Sequence, residues 1–188
     1  VAKFTGMLQG QRDLFTVGQM LLSDLVPLVG AQEGTIYQMH VAEGERSMLR
    51  LLASYARQRD QVEQFMVGEG LIGQCALEKQ RIHLTDVPAS FTVIHSSLGE
   101  SRPVNIVVLP VLFEGQTKAV IELASLCPFT VTHLMFLEQL TQSIGVVLNT
   151  IEATMRTENL LQQSQQLTTE LQSQQKELTQ TNEELERK

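Results

Sequence analysis

The chain has no tryptophan, and aromatic residues make up only 5% of it. Stacking on bases or sugars is therefore a poor basis for its function. It has two cysteines, Cys75 and Cys127, too few for a disulfide framework or a thiolate metal cage. Each is expected to pack as a small hydrophobe, and a reducing, cytoplasmic setting is the simplest reading. No apolar run reaches the roughly 18 residues that a membrane-spanning helix needs. Positive charge is scarce: 14 Lys and Arg stand against 21 Asp and Glu, a formal net charge of -7. That disfavours a nucleic-acid binder, which wants a basic face. The first residues, Val1-Ala2-Lys3-Phe4, show neither an initiator Met nor a signal-peptide layout, and the chain reads as a fragment of a longer protein. What remains is globular: 188 residues, 43% hydrophobic and 19% charged, enough for one domain with an appendage or two small domains.

Hydrophobic periodicity divides the chain into three parts, 1–30, 31–150 and 151–188. Between 4 and 29, Leu8, Phe15, Leu22, Leu25, Val26 and Val29 fall at helical spacing, with Leu14, Met20 and Leu21 widening the stripe. Gly6, Gly10 and Gly18 weaken this helix, so it needs something packed on it. Pro27 and Gly30 mark its end. Residues 34–42 and 48–56 read as strands joined by the polar turn 43–46. Residues 71–78 form a short amphipathic helix and 82–87 a short strand. Residues 88–103 read as a long polar loop with room for one helical turn. Residues 104–113 and 117–125 form a second hairpin around Glu114-Gly115-Gln116. Pro110 inside the first of these strands calls for an edge position or a bulge. The strand 120–124 carries Glu122 among apolar residues. Its carboxylate faces either a polar pocket or the helices.

From 129 onward the pattern is helical, and after Gly145 there is no Gly, Pro or aromatic residue. A helix from 146 to the end would be roughly 65 Å long at about 1.5 Å per residue, more than a domain of this size buries. One heptad frame places Leu160, Leu167, Gln174 and Thr181 at d and Ser164, Leu171, Leu178 and Leu185 at a. Five of these eight seam positions are apolar, a usable but weak coiled-coil seam. A parallel homodimer is the expectation. A solvated helix in a glutamine-rich linker is the alternative.

The string Gly68-Glu69-Gly70-Leu71-Ile72-Gly73 matches G-x-G-x-x-G. A dinucleotide site needs a buried parallel strand before it and a full crossover helix after it. Here the preceding segment is short and Asp86 comes too early, so a tight turn and a close helix approach are expected instead. The histidines His40, His83, His95 and His133 show no metal-binding or catalytic spacing. Ser96 and Ser97 follow His95 without a G-x-S-x-G elbow, so no metal site and no hydrolase is expected.

The strings Gly68-Glu-Gly-Leu-Ile-Gly-Gln74, His83-Leu-Thr-Asp-Val-Pro88, Asn105-Ile-Val-Val-Leu-Pro-Val-Leu-Phe-Glu-Gly115 and Val120-Ile-Glu-Leu-Ala-Ser125 follow one another in the order of a GAF domain. The chain resembles that family over about 31–150. Its tail resembles the linker leading to the dimerisation helices of bacterial, often hybrid, sensor histidine kinases. The resemblance implies an α+β fold. A central antiparallel sheet would carry flanking N- and C-terminal helices, a small-molecule pocket against the segment 70–103, and a coiled-coil exit helix. By position it points to Tyr37, His95, Ser97, Arg102 and Asn105 as ligand-facing residues. The family's cyclic-nucleotide pattern is missing, and no Cys lies in 88–103 to hold a bilin, so the ligand is left unnamed. Neither the acceptor-His box nor the ATP-binding boxes of a kinase are present, so this segment is not expected to be an enzyme. The implied role is a sensory and dimerisation module of a two-component kinase. It would pair through its N- and C-terminal helices and pass a signal to a kinase domain in cis. The alternatives are a ligand-free scaffold and a small-molecule, nucleotide-like binding module of another signalling protein.

Overall fold

The computed structural model describes residues 13–41, 47–56, 62–88, 91–97 and 99–187, except the side chains at 181 and 183–186. The expectations for Gly6, Leu8, Gly10 and the turn 43–46, and for the Thr181 and Leu185 side chains, lie outside what is described. The chain divides into a compact unit through Ile151 and a second unit from Glu152.

The first unit opens with α1, Leu14–Leu28. Asp13 caps it, accepting hydrogen bonds from the backbone N–H of Thr16 at 2.9 Å and from the Thr16 hydroxyl at 2.6 Å, a standard use of a short acidic side chain at a helix start. These bonds hold the Asp13 carboxyl below its ordinary pKa. Leu14, Val17, Leu21, Leu22, Leu25 and Val26 are buried, whereas Phe15 is 56% exposed. The stripe is the expected one through Leu14, Leu21, Leu22, Leu25, Val26 and Val29, with Val17 added; Phe15, in the first turn, is left exposed.

The strands are β1 (Glu33–His40), β2 (Met48–Tyr55), β3 (Gln64–Met66), β4 (Ile82–Leu84), β7 (Asn105–Phe113) and β8 (Gln116–Ser125). They form one sheet in the order β3-β2-β1-β8-β7-β4, antiparallel throughout. A two-residue turn closes β7 onto β8, with Glu114 at φ 48 and Gly115 at φ 73. Positive φ at both positions gives the twist that tight hairpins require. Pro110 is not on an edge strand. It lies past the end of the three-residue partner β4, which pairs only with 106–108, and next to a bulge between Val111 and Leu112. The missing N–H therefore breaks no ladder on that side. The loop 88–103 holds more than the expected coil: β5 (Ile94–Ser96) and β6 (Gly99–Ser101) pair as a small separate hairpin. Three-residue strands of polar composition leave too little alternation to be read in advance.

Each face of the sheet has its own core. On one face α1 and the start of α3 (Val131–Glu186) cover Ile36, Ala53, Val107, Leu109, Ile121 and Leu123. Leu137, Leu140, Ile144, Leu148 and Ile151 of α3 are buried here at helical spacing. At Gly34, α1 rests directly on the strand backbone: a Cβ there would lie 2.6 Å from Cγ2 of Val26. At Gly145, α3 rests on β7, and a Cβ would lie 2.0 Å from the Leu112 carbonyl oxygen. On the other face α2, Gly70–Glu78, packs Ile72, Cys75 and Ala76 against Leu49, Ile106, Val108 and Val120.

Helix α2 ends at Lys79 in the left-handed region, φ 58, with its N–H bonded to the Cys75 carbonyl. A Cβ makes that conformation costly, by roughly 1 kcal/mol. Lys79→Gly is expected to raise unfolding free energy by about 0.5–1 kcal/mol, read as a higher urea midpoint at unchanged m-value.

In the second unit α3 continues as one helix. Every described side chain from 153 onward is exposed, Leu160, Leu167, Leu171 and Leu178 at 59–65% among them. Among the described residues no helix is long and apolar enough to cross a membrane.

Candidate functional site

The glycine string is structural. Gly68 at φ 89 and Gly70 at φ 59 make the turn into α2. Gly73 faces backbone, where a Cβ would lie 2.1 Å from the Met66 carbonyl oxygen. The Gly68 N–H bonds to the Gly73 carbonyl at 2.9 Å, and the Glu69 carboxylate accepts the Met66 N–H at 2.8 Å. The strand before it, β3, runs antiparallel to β2. Among the described residues no βαβ unit is formed to hold a pyrophosphate.

The candidate site lies on the α2 face of the sheet. Strand alternation sends Glu33, Thr35 and Tyr37 of β1 to that face, and Val120, Glu122 and Ala124 of β8 beside them. The register sets Thr35 opposite Glu122 and Glu33 opposite Ala124, so the two carboxylates are diagonal neighbours. Glu33, Thr35, Tyr37, Glu122, Ala124 and Ile106 line a cavity of about 250 Å³, together with Val62, Phe65, Phe91 and Thr92. Tyr37 is fixed there: its hydroxyl donates to the Val62 carbonyl at 3.0 Å, and its ring meets Phe65 edge-on at 5.3 Å.

The polar groups in this lining are poorly matched. Glu33 and Thr35 are buried, at 8% and 6% exposure, yet Glu33 Oε1 and Thr35 Oγ1 have no hydrogen-bond partner. Burial pushes the Glu122 carboxyl up to about 7, with the charge of Glu33 adding to the rise. Glu33 is also raised by burial, against a His95 backbone N–H and ring that pull the other way. Unpartnered buried polar atoms are costly, and natural folds keep few of them.

Of the five residues pointed to by position, Tyr37 lines this cavity. His95 lines a neighbouring hollow of about 410 Å³ that shares Glu33, and its Nδ1 lies 2.9 Å from Glu100 Oε1. Ser97 and Arg102 are exposed and line neither space. Asn105 has a structural task. Its Oδ1 accepts the Phe129 N–H at 2.9 Å and faces His83 Nε2 at 3.1 Å, and its amide donates to the Val104 carbonyl at 2.8 Å. These bonds lock the chain entering α3. Sequence reasoning noticed Glu122 without choosing its face, and it passed over Glu33 and Thr35. Their signal was two-residue alternation with Tyr37. Helix 70–78 packs on this face without lining the cavity; of the described residues in 70–103, Phe91 and Thr92 line it, beside Val62 and Phe65.

Burial pushes the Cys75 thiol up to about 12, and its Sγ lies 3.3 Å from the Gln80 carbonyl, so it packs as an inert hydrophobe. Cys127 is exposed, and neither cysteine lines the cavity. Among the described residues no cluster of three or more metal-ligating side chains occurs.

The family model of the GAF domain matches residues 11–149. The chain belongs to the GAF domain family. Solved structures agree in fold. The GAF domain of a phosphoenolpyruvate-protein phosphotransferase from Coxiella burnetii is similar at TM-score 0.67 and 18% identity, covering 82% of this chain and 94% of that one. Free methionine-R-sulfoxide reductase from Neisseria meningitidis, in complex with its substrate, is similar at TM-score 0.63 and 15% identity, covering 81% and 88%. Residues 122 to 287 of a methyl-accepting chemotaxis protein are similar at TM-score 0.60 and 16% identity, covering 80% and 98%. At these identities the likeness is one of GAF architecture. No curated protein sequence matches the chain.

Proposed function

We propose that this GAF domain is the sensory and dimerisation module of a cytoplasmic signalling protein, and that its parent is a two-component sensor histidine kinase. The observation that carries the reading is α3. One helix is rooted in the core of the GAF domain through Ile151 and continues as a helix whose leucines at heptad spacing are exposed. Exposed leucines in register need a partner helix, and a second copy supplies the same seam. A ligand in the cavity would shift the packing of α1 and α3, and the paired helices would pass that shift to a kinase domain in cis. A few kcal/mol between two packings is enough for such a relay.

The cavity supports a regulatory role more than a catalytic one. Thiol chemistry needs a reactive thiolate, and neither cysteine lies in the lining. Nor does the lining favour a nucleotide, since Glu33 and Glu122 repel phosphate.

Light scattering on residues 1–188 tests the pairing. A dimer is expected at micromolar concentration, and Leu167→Glu with Leu171→Glu should give a monomer. A monomeric parent chain would overturn it. Insertion of one residue near Ser164 in the full-length protein tests the relay, and unchanged kinase output would sink it.

A further inference from the structure

We propose that the cavity above β1 and β8 takes a small organic cation, an ammonium or amidinium nitrogen on an apolar body, with the nitrogen held by Glu33, Thr35 and Glu122. This rests on the reading that the cavity is a ligand site, and it names the chemical class.

Three observations point the same way. Glu33 Oε1 and Thr35 Oγ1 are buried acceptors aimed at the cavity with no partner. Glu122 stands directly across from Thr35 in the ladder, which puts a second carboxyl over the same spot. Among the described lining residues there is no Lys, Arg or His; His95 acts on Glu33 from the neighbouring hollow. A protonated nitrogen there would donate to Glu33, Thr35 and Glu122 at once, adding to the His95 backbone N–H and ring that already act on Glu33. Charge-assisted bonds of this kind are about twice as strong as neutral ones.

The remaining walls specify the rest of the ligand. Phe65, Phe91, Ile106 and the Tyr37 ring offer apolar and aromatic surface. Aromatic faces also attract a cation. Two carboxyls with one hydroxyl fall short of the six to eight oxygens that calcium wants, and apolar walls do not complete a coordination shell. The volume of about 250 Å³ is below the usual range of about 300–1,000 Å³ for ligand pockets, which limits the occupant to a small amine.

The test is calorimetric titration of the whole chain at pH 7.5 with phenethylamine and cyclohexylamine, their neutral counterparts 2-phenylethanol and cyclohexanol, and calcium and magnesium chlorides. At least one amine is expected to bind about tenfold tighter than its alcohol. Glu33→Gln and Glu122→Gln should each abolish that preference while circular dichroism stays unchanged. Alcohols binding as well as the amines would overturn the cation class and leave the ligand-site reading standing. Binding of calcium or magnesium alone would overturn the organic class. If neither amines nor alcohols bind, the ligand-site reading falls and takes the proposal with it.

Discussion

Raising the pH from 5 to 8 is expected to cost the folded domain about 2–3 kcal/mol through Glu122 alone, and Glu122→Gln is expected to remove that cost. The sign follows from proton binding. In the unfolded chain Glu122 titrates near 4.5, and in the fold burial moves it to about 7. Between those values the native state holds the proton and the unfolded state has lost it, so stability falls with rising pH. Below about 4.5 the penalty is absent. Above about 7 it is complete and flat. Urea unfolding of the parent and Glu122→Gln across that window gives the difference directly, since every other titrating group is common to both chains. Glu33 is raised too, by burial, so Glu33→Gln should flatten the profile further. Parallel profiles for parent and variant would mean that the Glu122 carboxyl is hydrated in the fold. A saturating amine should also reverse the loss at pH 8 in the parent chain, because a bound cation favours the ionised pair.

A second large effect is expected at Gly145. A methyl group there would lie 2.0 Å from the Leu112 carbonyl oxygen, inside any tolerable contact, and the obstacle is backbone. Neither a rotamer change nor a local breath of α3 relieves it, because Leu140, Thr141, Ile144 and Leu148 around it are all buried. Gly145→Ala is expected to lose about 3 kcal/mol or more, at the upper end of overpacking costs. Its gain of roughly 1 kcal/mol in helix propensity offsets only part of this. Denaturant midpoints decide the matter, with Val146→Ala, one position along and 54% exposed, as the near-neutral control. A loss below 1 kcal/mol for Gly145→Ala would mean that α3 stands further from β7.

Much of the fold was legible because its elements are strongly patterned. The hairpin 105–125 has long apolar strands around a Glu-Gly turn, and α3 has a buried stripe that gives way to exposed heptads. The glycine string was read correctly as a turn, because the strand and helix around it were too short for a crossover. Other features depended on tertiary context. Phe15 looked like core because it lies seven residues before the buried Leu22 on the same stripe; it sits in the first turn of α1, where the stripe is no longer fully covered. The β5–β6 hairpin was hidden because three residues per strand, with Ile94 the one apolar residue of the six, carry no period. At the site, alternation alone could have grouped Glu33, Thr35 and Tyr37. It could not pair them with Glu122, because the β1–β8 register joins residues about ninety positions apart. Asn105 was noticed by position, but its task of locking the Phe129 N–H became visible only when the start of α3 was seen beside β7.

Gly34 has a consequence of its own. Its neighbours in the strand, Glu33 and Thr35, line the cavity, while Gly34 itself is pressed by Val26 and Leu22 of α1 from behind. The partition between an occupant and the helix is therefore a single bare peptide, with no side chain to cushion it. A shift of β1 at this point would bear directly on α1, with no β1 side chain between strand backbone and helix.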